Sequence, residues 1–250
     1  MTEINKVNIC DVLIDNVTFE ETLSIIDKLI RAQNYSYIVT PNVDHIVRLQ
    51  DDLKFKEIYQ NASLVLADGM PLLWAAKILK TPFKEKISGS DLFPKLCEVS
   101  TSNNYKLFFL GGRPGAADKS ARIMQTNYPG INIVGTYAPP YGFENDNIEN
   151  DKVNTMIKEA KPDILFVGLG APKQEKWIYK NRDQLQVPVS IGIGGTFEFV
   201  SGMVKRAPLW MQQCGFEWFW RLMSEPGRLW RRYLIEDIKF IQLLFKQLVS

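Results

Sequence analysis

Short apolar runs recur along the chain: Tyr37–Thr40, Leu64–Ala67, Lys106–Leu110, Ile131–Gly135, Ile164–Gly168 and Val189–Ile193. Most lack polar alternation and are bounded by Gly, Pro, Asp or Asn, as expected of parallel strands covered on both faces. Segments of helical periodicity fill the intervals: Phe19–Ala32, Asp44–Asn61, Pro71–Leu79, Asp91–Thr101, Pro114–Tyr128, Asp146–Ala160 and Lys173–Arg182. This alternation predicts an open, doubly wound, mainly parallel α/β sheet. Val7–Val17 reads as an additional strand or hairpin. The pattern changes near Gly202–Pro208, where amphipathic helices take over. The expected organisation is an α/β domain over residues 1–202 and a C-terminal appendage over 203–250.

In such sheets ligands bind at the carboxyl ends of the strands, and here those ends are rich in polar residues and glycine. They read Thr40-Pro41-Asn42-Val43-Asp44-His45, Ala67-Asp68-Gly69-Met70-Pro71, Gly111-Gly112-Arg113-Pro114-Gly115, Gly168-Leu169-Gly170-Ala171-Pro172-Lys173-Gln174-Glu175 and Gly192-Ile193-Gly194-Gly195-Thr196-Phe197-Glu198. The third and fifth strand ends each pass from a Gly-rich turn through a proline into a helix. Proline is pre-organised for a first helical turn, and bare glycines let backbone N–H groups approach a phosphate there. Singly, each is equally a tight strand-to-helix connection; as a pair they point to a diphosphate or nucleotide. Asp68 stands at the ligand edge, although Asp-Gly is also a common turn pair. Thr40, Asn42 and Asp44 are good cap residues. His45 is the only histidine and reads first as a packed, hydrogen-bonding residue.

Composition narrows the chemistry. At 250 residues, 46% hydrophobic and 23% charged, the chain can bury a sizeable core. Three scattered cysteines offer neither a disulfide framework nor a zinc site, one histidine cannot build a multi-histidine centre, and no cofactor is implied. GxGxxG, GxxxxGK[ST] and GxSxG are all missing, which removes support for a dinucleotide-dependent dehydrogenase, a P-loop NTPase and a serine hydrolase. No Asp-x-Asp pattern is present to hold a divalent metal on a sugar nucleotide. Without one, cationic side chains and helix N-termini must offset a diphosphate's charge.

The net charge of +2 hides an asymmetry: Met203–Ser250 carries eight basic and four acidic residues and four of the six tryptophans. From Pro226 onward Leu229, Trp230, Tyr233, Leu234, Ile238, Ile241, Leu244, Phe245 and Leu248 recur at spacings of three and four, with Arg228, Arg231, Arg232, Lys239 and Lys246 interspersed. A basic amphipathic helix of this kind suits an anionic membrane interface. The same face would equally serve packing on the core or a subunit contact, so a homo-oligomer stays open. The acidic body argues against a nucleic-acid partner. No signal-peptide pattern and no spanning run of apolar residues appear, so a cytoplasmic, peripheral location is expected.

Read together, several motifs resemble the WecG/TagA/CpsF glycosyltransferases. They are Thr40-Pro41-Asn42, Ala67-Asp68-Gly69-Met70-Pro71, Ser88-Gly89-Ser90-Asp91-Leu92, Phe109-Leu110-Gly111-Gly112, Gly168–Glu175 and Gly192–Phe197, with Lys205–Pro208, Glu217-Trp218 and Glu225–Tyr233 behind them. The resemblance implies a Rossmann-like catalytic domain with a membrane-binding appendage. It implies an inverting, metal-independent transfer of a hexosyl group from a UDP-sugar to undecaprenyl-pyrophosphate-linked GlcNAc, N-acetylmannosamine being the first expectation for the donor. UDP-glucose, UDP-galactose, a UDP-uronic acid, or a non-catalytic UDP-sugar-binding scaffold are the alternatives. By the same resemblance Asp68 is the general base. Thr40, Asn42 and Gln174 match its pocket residues, and with His45, Lys86, Gly111, Gly112, Gly170, Glu175 and Gly194 they make up the expected substrate-binding set. Arg221, Arg228, Arg231 and Arg232 hold the lipid pyrophosphate. Lys86 stands where the family usually has arginine, keeping the charge but losing the bidentate fork.

Overall fold

The computed structural model describes residues 4–231, 233 and 236–249. The chain opens with a hairpin of β1 (Lys6–Ile9) and β2 (Val12–Asp15). Its turn residues Cys10 and Asp11 both have positive φ, 50° and 62°, the handedness that matches strand twist in a two-residue connection. The helix α1 (Phe19–Ala32) has the predicted bounds. Thr18 and Glu21 close a capping box at its start, and Ile26 and Ile30 face the core.

The main sheet contains β3 (Ser36–Val39), β4 (Leu64–Val65), β5 (Lys106–Gly111), β6 (Asn132–Tyr137), β7 (Ile164–Gly168) and β8 (Val189–Gly192). Their spatial order is β4-β3-β8-β7-β5-β6, and every pairing is parallel. Each expected strand is present, because continuous Val, Ile, Leu and Phe runs can be buried on both faces only in such a sheet. After β3 come α2 (Val43–Asp51) and α3 (Leu53–Gln60); after β4, α4 (Met70–Ile78) and α5 (Gly89–Asn103); after β5, α6 (Ala116–Asn127). After β6 comes α7 (Asn147–Ala160), after β7 α8 (Lys173–Leu185), and after β8 α9 (Thr196–Val200). One apolar layer, from Val39 and Leu165 out to Trp177, covers one face; the other, around Phe93, Phe109, Phe166 and Phe197, covers the opposite face.

Three expectations are corrected. The helix expected over Asp44–Asn61 is two helices, because Asp52 ends α2 and caps α3: its side chain accepts from Phe55 N at 3.0 Å. A carboxylate that bonds the backbone ahead of it competes with helix continuation. The helix expected to start at Pro114 starts at Ala116, while Pro172 stands directly ahead of its helix as expected. Gly115 caps α6 with φ 79°, leaving Pro114 beyond the cap, and Pro172 is itself the cap of α8. Thirdly, the apolar stripe after Pro226 is not one helix. The tail runs through α10 (Leu209–Gln213), α11 (Glu217–Ser224), α12 (Pro226–Arg231) and α13 (Ile238–Val249).

The last helix packs on the main domain. Phe240 is buried in the core layer and Leu243 and Leu244 lean on it. Gln247 accepts from Cys10 N at 2.6 Å and donates to Asn8 O at 3.0 Å, tying α13 to the opening hairpin. Its other face leaves Ile241 66% and Phe245 69% exposed. Among the described residues no helix is long and apolar enough to cross a membrane.

Asp52 also pairs with Lys176 of α8 at 2.5 Å, so it joins two connections that the sheet alone leaves separate. Asp52→Ala is expected to lower unfolding stability by about 1 kcal/mol, read as a lower urea midpoint with an unchanged slope.

Candidate active site

Backbone bonds that continue past the strand ends build the site's floor. Leu66 N donates to Val39 O at 2.9 Å, Asp68 N to Pro41 O at 2.9 Å, and Ile87 N to Ala67 O at 2.9 Å. Asp68 is thereby stapled between the β3 loop and the segment leading into α5. Gly69, at φ 99°, turns the chain directly into α4, so the carboxylate stays at the sheet edge.

Asp68 opens into a cleft of about 330 Å³. Asn42, Lys86, Ser88 and Ser90 line it from the main domain, and Glu217, Trp218 and Arg221 from α11. Desolvation by burial raises the Asp68 carboxyl to about 6, and neighbouring Glu217 pushes the same way; Lys86 opposes both. The cations themselves are held. Lys86 lies 3.0 Å from Asp91 Oδ2, and Arg206 reaches Asp91 Oδ1 at 2.7 Å and Glu217 Oε1 at 3.5 Å. Burial raises the Asp91 carboxyl, but Arg206 and Lys86 more than offset this and keep it below the ordinary range. Ser88 caps α5, accepting from Asp91 N at 3.1 Å and donating to Asp91 Oδ2 at 2.7 Å.

A buried polar chain adjoins the cleft. Gly194 N donates to Gln174 Oε1 at 3.0 Å, and Gln174 Nε2 donates to Glu175 Oε1 at 2.8 Å. The same oxygen lies 3.5 Å from His45 Nε2, and His45 Nδ1 sits 2.7 Å from Asn42 Oδ1. His45 is 5% and Glu175 1% exposed, so neither meets solvent and His45 acts on the cleft through Asn42. Thr40 is buried at the end of β3.

The predicted residues therefore separate into groups. Asn42, Asp68, Lys86 and Arg221 line the cleft; Thr40, His45, Gln174 and Glu175 are buried. The glycines lie at the ends of other strands. A Cβ on Gly111 would come within 2.7 Å of Gly168 O, and one on Gly112 within 3.3 Å of Phe197, so both permit close packing of β5 against β7 and α9. Gly170 and Gly194 differ: at φ 74° and 55° they have open space above Cα, the Gly194 N–H being taken by Gln174. Arg221 also stacks 5.7 Å from the Phe199 ring. Arg231 is exposed and lies 3.8 Å from Glu236. The Arg228 side chain and Arg232 lie outside the described residues. Among the described residues no cluster of three or more His, Cys, Asp or Glu could hold a metal ion.

Sequence reasoning did not single out Ser88, Ser90, Asp91, Arg206 or Glu217 as site residues. Arg206 and Asp91 are 115 positions apart, and no local pattern announces such a pair. The only signal was that all of them fall within motifs that also carry the family resemblance.

The family model for glycosyl transferases of the WecG/TagA/CpsF family matches residues 7–250. The chain is 31% identical over 228 residues to the N-acetylglucosaminyldiphosphoundecaprenol N-acetyl-beta-D-mannosaminyltransferase of Staphylococcus aureus strain MW2, covering 90% of this chain and 87% of that protein. The corresponding protein of strain MRSA252 matches at the same identity and coverage.

Glu175→Ala would leave Gln174 Nε2 and His45 Nε2 without their shared carboxylate in a dry site. The expected cost is about 2–4 kcal/mol, measured by chemical denaturation; an unchanged midpoint would contradict this account of the chain.

Proposed function

Since the chain belongs to the glycosyl transferase WecG/TagA/CpsF family and is a glycosyltransferase, we propose that it moves a hexosyl group, N-acetylmannosamine, from UDP to GlcNAc carried on undecaprenyl pyrophosphate. The observation that carries this reading is a half-buried aspartate in a cleft with a polar main-domain wall and an aromatic, arginine-bearing C-terminal wall. A sugar hydroxyl needs a base, a lipid pyrophosphate needs cations, and a polyprenyl chain needs an apolar surface.

Asp68 takes the proton from the acceptor hydroxyl while that oxygen attacks the anomeric carbon. The carbon–oxygen bond to the diphosphate breaks, and its electron pair leaves on UDP. Inversion follows from this single displacement. Asn42, held by His45, orients the sugar beside Asp68. The backbone at Gly170 receives the donor phosphates, with Gly194 leaving room beside it, and Lys86 and Arg221 balance charge on the diphosphate groups. The exposed apolar face of α13, with Trp210 62% and Met223 66% exposed nearby in sequence, lies on the inner leaflet where the acceptor resides.

The test is acceptor-dependent UDP release from a panel of UDP-sugars with a short-chain lipid-pyrophosphate-GlcNAc, chelator present. Release is expected with UDP-N-acetylmannosamine. Asp68→Asn is expected to lose 10²- to 10⁴-fold in rate, on the order of a general base's contribution. Because protonated Asp68 cannot accept a proton and its carboxyl titrates near pH 6, kcat/KM should fall as pH drops through about 6 and hold above it. Full turnover by Asp68→Asn would remove the base assignment, and release with another donor alone would replace the sugar.

A further inference from the structure

The C-terminal helices contribute more than cations and apolar surface to the cleft. Glu217, the first residue of α11, lines it together with Asp68. An acidic residue at a helix start has an ordinary role, since it complements the helix dipole. Glu217 is held by more than that. Arg206 is half-buried between it and Asp91 of the main domain, at 3.5 Å and 2.7 Å. The arginine, hydrogen-bonded to Asp91, thus pairs electrostatically with the α11 carboxylate and links it to the main domain.

The position of α11 is set by close packing as well. Gly215, in the turn before α11, has φ 78°, and a Cβ there would come within 2.7 Å of the Trp74 ring and 2.8 Å of Met70 Cβ on α4. Trp220 of α11 donates to Lys205 O at 3.0 Å, and Glu225 beyond it pairs with Arg113 at 2.7 Å. These contacts seat α11 against the helix that begins two residues after Asp68.

We propose that Glu217 is a positioning residue through which the C-terminal helices act on the reacting centre: their docking brings its carboxylate to Asp68, and Arg206 holds it there. This rests on Asp68 being the base. A second negative charge beside Asp68 makes the aspartate hold a proton more tightly, so a docked tail gives a stronger proton acceptor than an undocked one. The other groups acting on Asp68 are His45 from α2, Tyr59 from α3, Lys86 ahead of α5, Asp91 from α5 and Arg206. Lys86 and His45 favour the ionised aspartate, and Asp91 opposes it. Removing the Glu217 charge also frees Arg206 to act on Asp68, in the same direction.

The experiment compares full-length wild type with Glu217→Gln, Glu217→Asp, Gly215→Val and Asp68→Asn. The first readout is the Asp68 carboxyl resonance followed through a pH titration of the free protein; the second is the acidic limb of kcat/KM, which reports the free enzyme. Glu217→Gln is expected to move both midpoints from about 6 toward the roughly 3.9 of a free aspartate, and to lower the rate on the plateau. Gly215→Val, which displaces α11 without removing a charge, should move them the same way, whereas Glu217→Asp should stay near wild type. A midpoint unmoved in Glu217→Gln, with melting temperature and helix content retained, would overturn the proposal. A midpoint that moves in Glu217→Gln but not in Gly215→Val would overturn the docking half of it. Turnover retained by Asp68→Asn would remove the base assignment instead, and the resonance titration would still decide whether Glu217 acts on Asp68.

Discussion

Everything in the site hangs on backbone hydrogen bonds that carry sheet order past the strand ends. A parallel strand that stops leaves N–H and C=O groups facing a dry edge, and these must find partners. Here Asp68 N, Gly112 N and Ile193 N find them in the neighbouring strand or its loop, on Pro41 O, Gly168 O and Val167 O. Asp68 is therefore fixed as firmly as a strand residue although it stands outside one. A carboxylate on a free loop would turn to water and behave as an ordinary acid. Stapled at the sheet edge and covered by α11, it loses hydration and binds its proton more tightly.

Two polar systems meet at Asn42 and Asp68, and they differ in what they can do. The Gly194–Gln174–Glu175–His45 chain is buried and joins the ends of β8, β7 and β3. It braces three strand ends against one another, with His45 Nε2 and Glu175 Oε2 buried and lacking hydrogen-bond partners within it. The Lys86–Asp91–Arg206–Glu217 system has Lys86 and Glu217 in the cleft wall and crosses behind it from the main domain to the C-terminal helices. Its charges are partly exposed, unlike those of the buried chain.

The C-terminal helices reconcile two surfaces. Phe240 and Gln247 hold α13 to the core and hairpin, while Ile241 and Phe245 face away. α11 presents Glu217 and Arg221 to the cleft while leaving Phe219 and Met223 exposed. The same short helices thus carry a polar wall toward the cleft and an apolar face away from it.

The sheet was legible in the sequence because strands buried on both faces must be continuously apolar, and because Gly, Pro and Asp mark where burial ends. Asp68, Asn42 and Gln174 stood out as polar residues in the motifs at those ends, and Lys86 only through the family resemblance. Family membership followed from the same motifs and was borne out by the match over residues 7–250. Tertiary structure alone decided which strand ends converge. The order β4-β3-β8-β7-β5-β6 sets β3 beside β8, bringing residues near 40 and 190 together, and places Gly111 and Gly112 in close packing against β7 and α9. It alone also decided that Arg206 meets Asp91 and that Glu217 meets the cleft. Periodicity records which face of an element is buried, because burial is local to the element. It carries no record of which distant charge completes a pair, because a Coulomb partner is chosen by proximity in space.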